Sequence, residues 1–357
     1  MKKIIKMLII VVVFSAFSFG CSAKEAEDYI EDFREAMPEE YGDKLKDGED
    51  VLSLIGPDAL ISELLSVLSQ RRGEIFSFLL IVLGSAVLLS LSSMIEGEMA
   101  APIEAGVGAV CTILVFSKIG SLFSEVAEGI SALSSVFSAL MPVMTAITLA
   151  GGGGGTAAVQ SSGMSLTLWL LGGAGSTFFI SVVGLGLAMA LITSFGDEGS
   201  LKIISGVKSF FIFCVGIISA VLSAVFALQT VVASAADSAA IRAARYAASG
   251  LIPVVGSSVS GALSTIVSGL TYAKSLVGAG GIAVIAVMAL SPLVMLLLYR
   301  AAIAVTLSFA EFLGRGSAMR MLTAFKYSLD SMIALYTVST LVYIIEIVMF
   351  MKGGAAL

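Results

Sequence analysis

The chain has 357 residues, of which 58% are hydrophobic and 13% charged, with a formal net charge of −6 and a mean hydropathy of +1.04. A soluble domain carries about a quarter charged residues, so this balance excludes one and points to an all-α, polytopic helical membrane protein. The apolar runs are continuous where a β-barrel would alternate.

The sequence contains no histidine, which removes the usual general base, metal ligand and pH switch. Cys21, Cys111 and Cys214 are isolated, so neither a zinc site nor a redox pair is expected. The negative charge is local: residues 24–50 hold 12 acidic and 4 basic side chains, a net −8.

Residues 1–23 read as a signal peptide. Lys2, Lys3 and Lys6 precede a short apolar core, and Cys21-Ser22-Ala23 offers cleavage after Ala23. Lipidation at Cys21 and an uncleaved first span are the alternatives. Residues 24–72 read as an acidic extracytoplasmic segment followed by an amphipathic helix. Gly56-Pro57-Asp58 marks the start of that helix, Leu60, Ile61, Leu64, Leu65 and Leu68 form its apolar face, and Arg71 and Arg72 end it. Such a helix suits a membrane surface or a partner.

Residues 73–357 form the polytopic membrane domain. Ile75–Ile95 and Ala101–Ile119 are long and apolar enough to cross a bilayer. An amphipathic helix follows over 121–141. Its apolar stripe is Phe123, Val126, Ile130, Leu133, Phe137 and Leu140, and its polar stripe is Ser121, Ser124, Glu128, Ser131, Ser135 and Ser138. Pro142 bends or ends it. The run Gly151–Gly155 lacks the Lys-Ser/Thr of a phosphate loop, so 151–163 is expected to be a loop. Further spans are expected over 165–195, 210–233, 280–309 (interrupted by Pro292) and 328–351. Charged loops lie around Lys202 and Lys208 and over 311–326. Six or seven spans result, and the distribution of Lys and Arg slightly favours six.

A second amphipathic helix lies near 250–277. One face is aliphatic; the other carries Ser257, Gly261, Ser264, Ser268 and Ser275. Like Ser124, Ser131, Ser135 and Ser138, these residues suit close helix packing, a membrane surface, or the wall of a wet cavity. Arg300 and Glu346 are the ionisable residues deepest in apolar sequence. Either Arg300 pairs with Glu346 or Glu311, or both charges snorkel to the headgroups. No nucleophile–base set or basic cluster is present, so no enzyme, cofactor or direct nucleic-acid binding is expected.

Ile241-Arg-Ala-Ala-Arg-Tyr246, followed by Gly250-Leu-Ile-Pro-Val-Val-Gly-Ser-Ser-Val-Ser-Gly-Ala-Leu263, resembles the stage III sporulation protein AE family of endospore-forming bacteria. The signal, the acidic exported segment and the Gly-Pro-Asp-led helix fit the same resemblance, which covers nearly all of the chain after the signal. The resemblance implies a multi-pass protein of the mother-cell membrane around the forespore. It would act as a structural or pore-forming part of a transenvelope channel or secretion complex between the two cells. Its partners would be the other proteins of the stage III sporulation complex, membrane lipids and further copies of itself. A secondary transporter or permease subunit built around Arg300, Glu346 and Pro292, and a non-conducting assembly scaffold, are the competing expectations.

Overall fold

The computed structural model describes residues 57–150, 154–193, 198–251, 256–312 and 316–352. The expected signal peptide and most of the acidic segment therefore lie outside the described residues. The described chain is a bundle of α1 (Pro57–Ser92), α2 (Ala100–Ala150), α3 (Gly154–Thr167), a π-helical turn (Leu168–Gly172), α4 (Ala174–Thr193), α5 (Glu198–Leu251), α6 (Gly256–Phe312) and α7 (Gly316–Lys352). Among the described residues, six stretches are long and apolar enough to cross a membrane: 61–92, 100–150, 154–190, 201–229, 271–312 and 317–352.

The helices outrun the boundaries expected from the sequence. The surface helix ending at Arg72 and the span from Ile75 are one helix, α1. The span 101–119 and the amphipathic helix 121–141 merge into α2, which at 51 residues is about 76 Å long. Gly120, between the two segments, does not break the helix. Pro142 and Pro292 lie inside α2 and α6 without ending them, as proline does where neighbouring helices hold the backbone. The second amphipathic helix joins the span after it as α6. Lys202 and Lys208 lie in α5, and Arg320 and Lys326 in α7, where loops were expected.

Residues 156–163 also differ from expectation: they are helical. Thr156, Ala157, Gln160, Gly163, Met164 and Thr167 are the buried positions of α3. They step at helical spacing, but their small and polar side chains hide the stripe from a hydropathy reading.

α7 is the centre of the bundle and packs against all six other α-helices. Met321, Leu322, Phe325, Leu329, Met332, Tyr336, Tyr343, Ile347 and Phe350 form a fully buried stripe, and of the other described side chains of α7 only Ile345 and Lys352 are exposed, which is how an interior helix reads. Aromatic pairs tie the layers together. Phe78 of α1 stacks on Tyr299 of α6 with centroids 3.9 Å apart, and Phe137 of α2 lies 4.8 Å from Tyr343 of α7. α2 comes close to α7 at Gly129, where an added Cβ would stand 2.9 Å from the Tyr336 hydroxyl. Outside, Leu80, Leu88, Val110, Ile113, Phe213, Leu228 and Val305 are exposed, an exterior suited to lipid.

Candidate functional site

Among the polar features inside or on this bundle, three bear on function. The first is the stripe on α2. Val126, Ile130, Leu133, Phe137 and Leu140 are buried, and Ser121, Ser124, Glu128, Ser131, Ser135 and Ser138 are exposed along the opposite side. Ser124 donates to the Gly120 carbonyl at 3.3 Å and Ser135 to that of Ser131 at 3.0 Å. This back-bonding satisfies hydroxyl protons within the helix, so Glu128 makes the larger polar demand on its surroundings. On α6, Ser275 is half-buried and donates to the Tyr272 carbonyl at 2.8 Å. Ser257, Gly261, Ser264 and Ser268 belong to the helix, but their side chains lie outside those described.

The second feature is an ion cluster. Arg300 does not pair with Glu346 or Glu311, as the sequence suggested. Its Nε donates to Asp330 Oδ1 at 2.5 Å, and Lys208 Nζ donates to Asp330 Oδ2 at 2.5 Å. Lys208 also sits 4.5 Å above the Tyr327 ring. One carboxylate thus holds two cations from α5 and α6, and the ring supplies further electron density to one of them. Charges withdrawn from water persist when paired in this way. Glu311 is exposed at the end of α6.

The third feature surrounds Glu346, which is 1% exposed and cannot snorkel. Thr167, at the end of α3, donates to Glu346 Oε1 at 2.9 Å. Gln229 of α5 neighbours the same carboxylate, and Gly163 of α3 leaves room for its amide, because a Cβ there would overlap Gln229 Nε2. One turn earlier on α7, Tyr343 shares a 2.6 Å hydrogen bond with Ser134 of α2. One turn later, the Lys274 ammonium lies 5.3 Å from the Phe350 ring centroid. The ion cluster and the Glu346 pocket are about 24 Å apart along α7, close to the thickness of a bilayer core.

Sequence reasoning missed Asp330, Lys208, Thr167 and Gln229 as partners. Asp330 carried the clearest signal. It is an acidic residue in an apolar run, as far beyond the α6–α7 turn as Arg300 is before it. Gln229 also stands in otherwise apolar sequence.

The family model described as stage III sporulation protein AE matches residues 36–354. No curated protein and no solved structure gives a significant match.

Proposed function

The chain belongs to the stage III sporulation protein AE family, and on that premise we propose that it is the pore-forming structural component of a sporulation-specific channel or secretion complex. The complex would join mother cell and forespore, with this chain in the mother-cell membrane that surrounds the forespore. Its partners would be other stage III sporulation proteins and further copies of itself.

The observation that carries this reading is the exposed stripe Ser121–Ser138 with Glu128 at its middle. A charged residue at the centre of a bilayer costs about 2.5–3.5 kcal/mol on insertion scales. Much of the described exterior elsewhere, such as Leu80, Leu88, Val110, Ile113 and Phe213, is aliphatic or aromatic and suits lipid. The stripe therefore calls for water or another protein surface. Copies of the chain arranged about an axis, with α2 innermost, give it water on one side and the buried face of the bundle on the other.

The test is cysteine accessibility on the assembled complex, in a background free of Cys21, Cys111 and Cys214. Single cysteines at positions 124, 131, 135 and 138 should react with a membrane-impermeant thiol reagent. Cysteines at 133 and 137, on the buried face, and at 110 and 113, on the apolar exterior, should stay silent. Disulfide crosslinking between copies at the serine positions, without reagent access, would instead make this face a dry contact of a non-conducting scaffold.

A further inference from the structure

We propose that Glu346, Thr167 and Gln229 form a binding site for a sodium-sized monovalent cation inside the bundle. The inference does not depend on the pore reading, because this pocket is interior and the α2 stripe is exterior.

The pocket has three properties that ordinary packing does not require. Glu346 is buried, yet its hydrogen-bond partner is the Thr167 hydroxyl with the Gln229 amide beside it, and among the described residues no basic residue is ion-paired to it. That contrasts with Asp330 on the same helix, which holds two cations. Gln229 is 5% exposed, and among the described residues neither its Nε2 nor its Oε1 closes a hydrogen bond. Leaving a buried amide unsatisfied is costly, so the pocket calls for a partner. Finally, the helix that supplies Thr167 changes to π geometry at Leu168 and is interrupted at Gly173, where φ is −104° and ψ −123°. Irregular backbone at membrane depth is tolerated where it lines a cavity or site.

The donor set defines the ligand. Thr167 donates its proton to Glu346 Oε1, which leaves lone pairs on the hydroxyl oxygen. With its amide turned carbonyl-inward, Gln229 would join the carboxylate and the hydroxyl in a set of hard oxygens, which favours alkali or alkaline-earth cations over softer metals. With one formal negative charge, the pocket is neutralised by a monovalent ion. The packing of Gln229 against Gly163 leaves little spare space, which favours sodium over larger ions. Interrupted helices that offer oxygens to a monovalent cation are a recurring device of membrane transport proteins. Occupancy would hold α3, α5 and α7 together at this level and make their packing dependent on the ion.

The experiment is equilibrium binding of radioactive sodium to the purified full-length chain in detergent. The expected result is saturable binding of one ion per chain, displaced by excess lithium chloride and not by choline chloride. Glu346→Gln should abolish it. Thr167→Val, which removes one oxygen at nearly constant shape, should weaken it by about tenfold or more. Val110→Ala, on the apolar exterior far from the pocket, should bind like the native chain. If Glu346→Gln fails to fold, Thr167→Val and Gln229→Leu decide the matter. Absence of saturable sodium binding by the native chain, or native binding by a folded Glu346→Gln or Thr167→Val protein, overturns the proposal. The pocket would then hold water only.

Discussion

Arg300 Nε and Asp330 Oδ1 face each other at 2.5 Å between α6 and α7, and Lys208 of α5 takes the second oxygen of the same carboxylate. The three groups carry one negative and two positive charges, so they are not equivalent. Removing Asp330 leaves two cations facing each other without a counter-ion. Removing Arg300 leaves a neutral Lys208–Asp330 pair. Asp330→Asn should therefore be clearly destabilising, by less than the roughly 3–5 kcal/mol of breaking a fully buried pair from one side, because the cluster is part-buried. Arg300→Gln should cost clearly less. Thermal unfolding of the detergent-purified proteins measures both, and equal losses would refute the asymmetry.

The contact of α2 with α7 gives a steric prediction. A Cβ at Gly129 would stand 2.9 Å from the Tyr336 hydroxyl oxygen and 3.0 Å from its ring, and Tyr336 is fully buried. Gly129→Ala must therefore shift a large ring that has little room to move. A destabilisation of about 1–3 kcal/mol is expected, as for other overpacked cores. Tyr336→Phe should relieve part of it by removing the oxygen. A non-additive double-mutant cycle would show that coupling, and strictly additive effects would argue against it.

Tyr343 and Ser134 share a 2.6 Å hydrogen bond between α7 and α2, and both are buried. Tyr343→Phe leaves the serine hydroxyl without that partner, so a loss of about 1–2 kcal/mol is expected. Tyr343→Phe combined with Ser134→Ala should recover part of that loss, because both polar groups are then gone. Melting temperatures of the three variants measure it. A double variant less stable than Tyr343→Phe would contradict the argument.

The fold class was legible because apolar runs of about twenty residues have few other homes. Helix ends were not. Gly73, Gly120 and Pro142 look like breaks, yet α1 and α2 continue through them. α3 was hidden because its buried positions are Thr156, Ala157, Gln160 and Gly163, and burial there comes from close approach, not from hydrophobicity. The two stripes of α2 were readable from spacing alone. The partner of Arg300 was not, because it depends on register between antiparallel helices. At the level of Glu346, α6 offers apolar residues such as Val284 and Ile285, so the carboxylate turns to Thr167 and Gln229 on helices that sequence distance does not bring near.

The last prediction separates folding from assembly on the two sides of α2. Leu133 is fully buried, so Leu133→Ala should destabilise the chain by about 2–5 kcal/mol. Ser131 and Ser135 are exposed on the single chain. Ser131→Leu with Ser135→Leu should therefore leave the melting temperature of the isolated chain nearly unchanged, because exposed substitutions shift stability by about 0.5 kcal/mol or less. The same double variant should abolish spore formation if the stripe is a wet wall or a contact between copies, since leucine closes one and misfits the other. The measurement pairs a melting curve with a spore count. Normal sporulation with the double leucine variant would mean that lipid covers this stripe in the assembled protein, and the pore wall would have to be sought on another helix.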